Sequence, residues 1–153
     1  MDFLGAGSTL VGAVLGVVAT LAAQYFEAGR TEKRERFAAR QEIYADYLAS
    51  VARAFESLRW AASRFGPPAT DPTRSEGLQR VFQESGSYEW RYRMSIRASD
   101  PVQPLAEECF LALRGLRDGL MDRDWSAPEV ALLRDAVGAA ADRLQAAMRS
   151  EGK

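Results

Sequence analysis

From residue 37 to residue 65, apolar or semi-polar side chains recur at alternating steps of four and three: Phe37, Gln41, Tyr44, Leu48, Val51, Phe55, Leu58, Ala62 and Phe65. That spacing is a heptad seam, which keeps one face of a helix against a neighbour. Ala38, Ala45 and Ala52 form a row beside it and predict a broader core-facing stripe. With Tyr, Gln and Phe in the seam, the pattern suits a bundle helix better than a leucine zipper. No Gly or Pro interrupts residues 30–65, and Gly66-Pro67-Pro68 then ends the helix.

Three further segments carry helix signals. Thr73-x-x-Glu76 has the form of a capping box and leads into Leu78, Val81 and Phe82. Asp100-Pro101-Val102-Gln103 predicts an N-cap, a first-turn proline and an apolar face of Val102, Leu105, Ala106, Cys109, Leu113, Leu116 and Leu120. Ser126-x-x-Glu129 repeats the capping logic before Val130, Leu133, Val137, Ala140, Leu144 and Ala147. Four amphipathic segments joined by short breaks predict an all-α antiparallel four-helix bundle. Residues 87–97 are ambiguous, because Tyr88, Trp90, Tyr92, Met94 and Ile96 alternate with polar residues as a strand would. No second good strand exists to pair with it, so helix is the expectation, entered after a break at Ser85-Gly86-Ser87. A strand paired with a second protomer is the alternative.

The N-terminal segment differs in kind. Residues 3–26 contain no charge, and apart from Asp2 every charged residue follows at Glu27 or later. At ~1.5 Å rise per residue such a run spans about 36 Å, against roughly 30 Å of hydrocarbon core. The sequence therefore predicts a transmembrane anchor over 1–26 and a helical bundle domain over 27–153, with the anchor helix continuing into the bundle. It begins without the basic region of a signal peptide, and Tyr25 and Phe26 suit the headgroup level. Arg30, Lys33, Arg34, Arg36 and Arg40 follow the span and no basic residue precedes it. By the positive-inside rule the N-terminus lies outside, and the bundle is cytoplasmic, at the inner face of the cell membrane. The same five residues offer weak contact with anionic lipid.

Within the span, Ser8, Gly12, Gly16 and Thr20 recur every four residues. Such a stripe lets two helices approach closely and would make the chain a homo-oligomer in lipid. Gly and Ala are common in membrane helices, so composition alone accounts for the stripe equally well.

Composition removes much chemistry. There is no His and only one Cys, which excludes His-based catalysis, Cys/His zinc sites and an internal disulfide. Glu107 and Glu108 point about 100° apart on a helix and cannot share a metal. Cys109 falls on an apolar seam, where a thiol behaves as a small hydrophobe. The net charge of −1 argues against nucleic acid as a partner. The one aromatic-basic cluster, Trp90, Arg91, Arg93 and Arg97 with Tyr88 and Tyr92, is the candidate surface for a protein partner. The expectation there is that the aromatics fill the core while the arginines stay in water. No catalytic, cofactor or metal residue is assigned.

The uncharged span, the stretch Gln41-Glu42-Ile43-Tyr44-Ala45-Asp46-Tyr47-Leu48 and the turn Met94-Ser95-Ile96-Arg97-Ala98-Ser99-Asp100-Pro101-Val102 resemble small uncharacterised single-span proteins of actinobacteria and their mobile elements. The resemblance implies a membrane-anchored helical protein and no site residues. The functional expectation is a non-catalytic scaffold or docking module at the inner membrane face. The alternative is a membrane-perturbing or sensory factor of a phage or mobile element whose span oligomerises; dye leakage on inducing the first 40 residues would favour it.

Overall fold

The computed structural model of the chain describes residues 6–66, 68 and 71–151, with helical side chains from residue 35 onward. It is all-helical: α1 (Ala6–Arg64), α2 (Arg74–Glu84), α3 (Ser87–Arg97), α4 (Gln103–Asp122) and α5 (Pro128–Ser150). The chain forms two compact units, Met1–Ala39 and Arg40–Lys153. Among the described residues no helix is long and apolar enough to cross a membrane. The side chains of the expected span, with its stripe Ser8, Gly12, Gly16 and Thr20, lie outside the described residues, as do those of Arg30, Lys33 and Arg34.

The second unit is a helical bundle whose neighbouring columns alternate in direction. On α1, Tyr44, Val51 and Leu58 are buried, and so are Tyr47, Ala54 and Ala61. Both sets step by seven residues, so together they form the two rows of one inward seam. This corrects the expected second row: Ala38, Ala45 and Ala52 are exposed, and Phe37 is exposed too. The bulk of Tyr44 and Tyr47 decides the rotation. Turning Tyr47 inward lets its hydroxyl donate to the Ala106 carbonyl of α4 at 2.7 Å, a bond that an alanine row could not replace.

The second column is two helices end to end. Gly86 has φ +77° and is the only described residue with positive φ. It ends α2 and starts α3, a conformation that costs an L side chain about 1–2 kcal/mol. Ser85 Oγ donates to the Phe82 carbonyl at 2.6 Å and lies 2.7 Å from Ser87 Oγ, so the broken turn keeps its polar groups bonded. Residues 87–97 are thus helical, with Met94 in the core. The column runs against α4: Arg74 bonds Leu120 while Arg91 bonds Glu107. At the far end of α1 the Phe65 ring lies where a side chain at Gly77 would have to sit, 1.9 Å from the position of a Cβ, which lets α2 approach closely. α5 returns along α4, with Leu133 against Gly119 at one end and Arg143 paired with Glu108 towards the other. It also runs along α1, where the Tyr44 hydroxyl donates to the Glu151 carboxylate at 2.9 Å.

None of the three expected side-chain caps forms. Thr73 has helical dihedrals (φ −86°, ψ −11°), so its hydroxyl does not face the first turn of α2. It donates instead to Asp71 at 2.6 Å, and Asp71 also accepts the backbone N–H groups of Thr73 at 2.9 Å and Gly66 at 3.0 Å. These bonds, the Thr73 hydroxyl first, hold the Asp71 carboxyl below its ordinary range. Before α4, the Ser99 carbonyl accepts from both Val102 and Gln103 at 3.0 Å, which moves the start past Asp100 and Pro101. Before α5, the cap is Ala127 in extended conformation, with Pro128 opening the helix in place of Ser126.

Candidate docking surface

The aromatic-basic cluster lies on α3 and is divided by the helix. Arg91 forms a two-pronged pair with Glu107 of α4 at 2.7 and 2.6 Å, and its guanidinium lies 4.6 Å from the Phe110 ring centre. Arg93 pairs with Glu89 one turn back at 2.6 Å and stacks 4.6 Å over Trp90. Trp90 is half-buried against the core and Arg97 is exposed. Arg91 and Arg93 thus have carboxylate partners within the chain, an arrangement that opposes phosphate binding there.

The expected burial of the aromatics is not what the helix produces. Tyr92 is 68% exposed and Ile96 58%, and Tyr88, one turn earlier, is exposed as well. Residues four apart share a helical face, so the three form a row. Tyr88 anchors it: its ring meets Phe82 at 5.5 Å and Phe110 at 5.3 Å, edge to face, and its hydroxyl accepts from Arg117 at 3.1 Å. The strand-like alternation was the signal of this division. On a helix, alternate residues cannot all turn inward, and Met94 took the core position.

The interior offers little reactivity. Burial pushes the Cys109 thiol up to about 11, with the nearby Glu108 charge adding to it. Burial likewise raises the Tyr47 hydroxyl above its ordinary range. Glu107 and Glu108 serve different neighbours, Arg91 of α3 and Arg143 of α5. Among the described residues no three acidic or thiol groups gather to hold a metal, and no buried side-chain nitrogen or oxygen lacks a partner.

Two arginines carry structure that sequence reasoning missed. Arg74 is 1% exposed and donates to the carbonyls of Leu120 (2.9 Å), Gly66 (2.9 Å) and Arg123 (3.0 Å). It therefore satisfies the ends of two helices with one side chain. Arg117 is buried beneath Tyr88, bonded to Asp118 at 2.8 Å and 5.0 Å over Phe82. Both sit at ordinary helical positions, so no local pattern announces them.

On the other faces of the bundle, a groove of about 640 Å³ lies between α1 and α2, with Val81 and Trp60 beside Arg53, Arg59, Glu56 and Glu84. Its charges are mixed and select no ligand sign. Arg36 and Arg40 are exposed on α1. In comparisons with known protein families, curated proteins and solved structures, the chain matches none.

Proposed function

We propose that the chain is a non-catalytic, single-pass membrane protein whose helical bundle docks a protein partner at the inner face of the membrane. The observation that carries the docking reading is the row Tyr88, Tyr92 and Ile96. Tyr92 and Ile96 are left mostly in water beside a Tyr88 whose ring is anchored on Phe82 and Phe110, on a domain in which no described buried polar side-chain atom lacks a partner. Aromatic side chains anchored by their own packing lose little freedom on binding, which makes them effective contact points. The anchor rests on the uncharged run 3–26 and the one-sided basic residues after it. In this reading the antiparallel bundle is a rigid platform that the anchor holds near the bilayer, and Arg40 and its neighbours add weak attraction to anionic headgroups.

Photo-crosslinking from position 92 of the full chain in native membranes tests the docking. A discrete adduct lost in Ile96→Glu supports it, and an adduct pattern unchanged by Ile96→Glu refutes it. Protease protection of sealed vesicles tests the topology; a bundle digested only from the outer side would overturn it.

A further inference from the structure

α1 carries a second heptad row that the bundle covers only in part: Leu48 and Phe55 pack against the core, Phe55 edge to face with Trp125 at 5.7 Å, while the outer edge of the row faces solvent. Ala45 and Ala52 are exposed, and with the half-buried Gln41, Leu48 and Phe55 they repeat at steps of four and three. This is the spacing by which one helix packs lengthwise on another, and none of these five positions is charged. α5 runs beside the seam and is small there: a Cβ built on Gly138 meets nothing within 4 Å. Between the two helices lies an apolar groove of about 380 Å³, with Glu56 on the α1 side and Arg134 on the α5 side.

We propose that this seam pairs with the same seam of a second copy of the chain, the two α1 helices running parallel about a two-fold axis. The rims select the occupant. A two-fold rotation along the seam sets the α1 rim of each copy against the α5 rim of the other, so Glu56 meets Arg134 twice. Each rim carries one charge, Glu56 lying also 2.9 Å from Arg59 and Arg134 stacking 5.0 Å over Trp125, and an unrelated helix would have to bring one cation and one anion of its own at that separation. The parallel orientation rests on the membrane-anchor reading, because two chains inserted in one membrane face the same way. The seam from residue 41 to 55 is about 21 Å long, short for an interface of roughly 800 Å² per partner. Pairing is therefore weak between free domains and becomes favourable when anchoring raises the effective concentration.

The test uses the full chain in native membranes with cysteine placed at single positions. The wild-type chain, whose one thiol is buried, gives the baseline, and Glu84→Cys on α2 reports random collision. Mild oxidation is expected to give symmetric disulfides for Ala45→Cys and for Ala52→Cys, each well above Glu84→Cys. Adding Glu56→Arg should lower the Ala45→Cys yield several-fold, and Glu56→Arg with Arg134→Glu should restore it. Ala52→Glu, which opposes two carboxylates across the axis, should weaken pairing about tenfold. Yields at 45 and 52 no higher than at 84, or a double charge exchange that fails to recover, would overturn the proposal. So would an adduct with another protein in place of the symmetric product. Alkaline extraction of the same membranes reads the anchor separately. A chain that stays in the membrane without symmetric disulfides sinks the pairing alone, and one that is extracted yet still crosslinks sinks the anchor alone.

Discussion

Replacing Arg74 by Met tests the claim that one cation joins the ends of two helices. Methionine keeps much of the side-chain volume and removes all donors, so the carbonyls of Gly66, Leu120 and Arg123 lose their partner together. The bond to Leu120 is fully buried, and an unmet buried acceptor costs about 1–3 kcal/mol. The other two bonds are part-buried, so water replaces the guanidinium at a cost of about 0.5–1 kcal/mol each. Against this stands the relief of no longer desolvating a charge whose nearest carboxylate, Asp124, is 3.9 Å away and mostly in solvent. The balance is a loss of about 2–4 kcal/mol, a large part of the stability of a domain this size. Arg74→Lys should lose about 1–3 kcal/mol, since one ammonium cannot reach three carbonyls held by a planar fork. Urea titration followed by the helical circular dichroism signal measures both, with the wild-type slope retained. A change below about 0.5 kcal/mol for Arg74→Met, or a gain in stability, would show that the arginine is incidental to the helix ends.

Three other outcomes follow from the same geometry. Gly86→Ala should destabilise by about 1–2 kcal/mol in urea titration, because φ +77° is strained for an L residue; no change would mean that the turn rearranges freely. The Cys109 thiol is raised from 9.0 to about 11, so the folded state holds its proton more tightly than the unfolded state. That contribution is complete below about pH 9 and fades as pH rises towards 11. The urea midpoint should therefore fall between pH 8 and pH 10.5, with a smaller fall in Cys109→Ala; a midpoint that rises contradicts the burial. Tyr92→Glu and Ile96→Glu should each change stability by less than about 0.5 kcal/mol, since both side chains are in water; a melting temperature lowered by many degrees would show that the row is part of the core.

The helical class and the breaks were legible because periodicity and Gly/Pro punctuation are local. The rotation of α1 was not. Its seam positions 44, 51 and 58 are buried as the spacing predicts, yet the second row expected at Ala38, Ala45 and Ala52 is held by Tyr47, Ala54 and Ala61. Two alanine rows flank one seam, and only the partner that Tyr47 finds on α4, 59 residues away, distinguishes them. The caps failed for a related reason. Thr, Asp and Ser stood at plausible N-termini, but Asp71, the Ser99 carbonyl and Pro128 set those starts instead. On α3 the facing helix sorts the aromatic and basic residues: Arg91 is held by Glu107 and Tyr88 by Arg117, both of α4, while Arg93 pairs with Glu89 on its own helix and Tyr92 and Arg97 stay exposed. Sequence shows which side chains can bond; the facing helix decides which of them do.

The bond from Tyr44 to Glu151 joins residues 107 positions apart, and Glu151 caps the end of α5, the last helix in chain order. A ribosome making this chain releases α1 first and α5 last. The inward seam of α1, with two tyrosines among its buried residues, must therefore wait through most of synthesis for one of its covering helices. Until then it is an exposed apolar face, the condition in which helices find wrong partners. Truncations near the C-terminus should on this account reduce yield through misassembly during synthesis, well beyond what the loss of one hydrogen bond would cause in the finished domain.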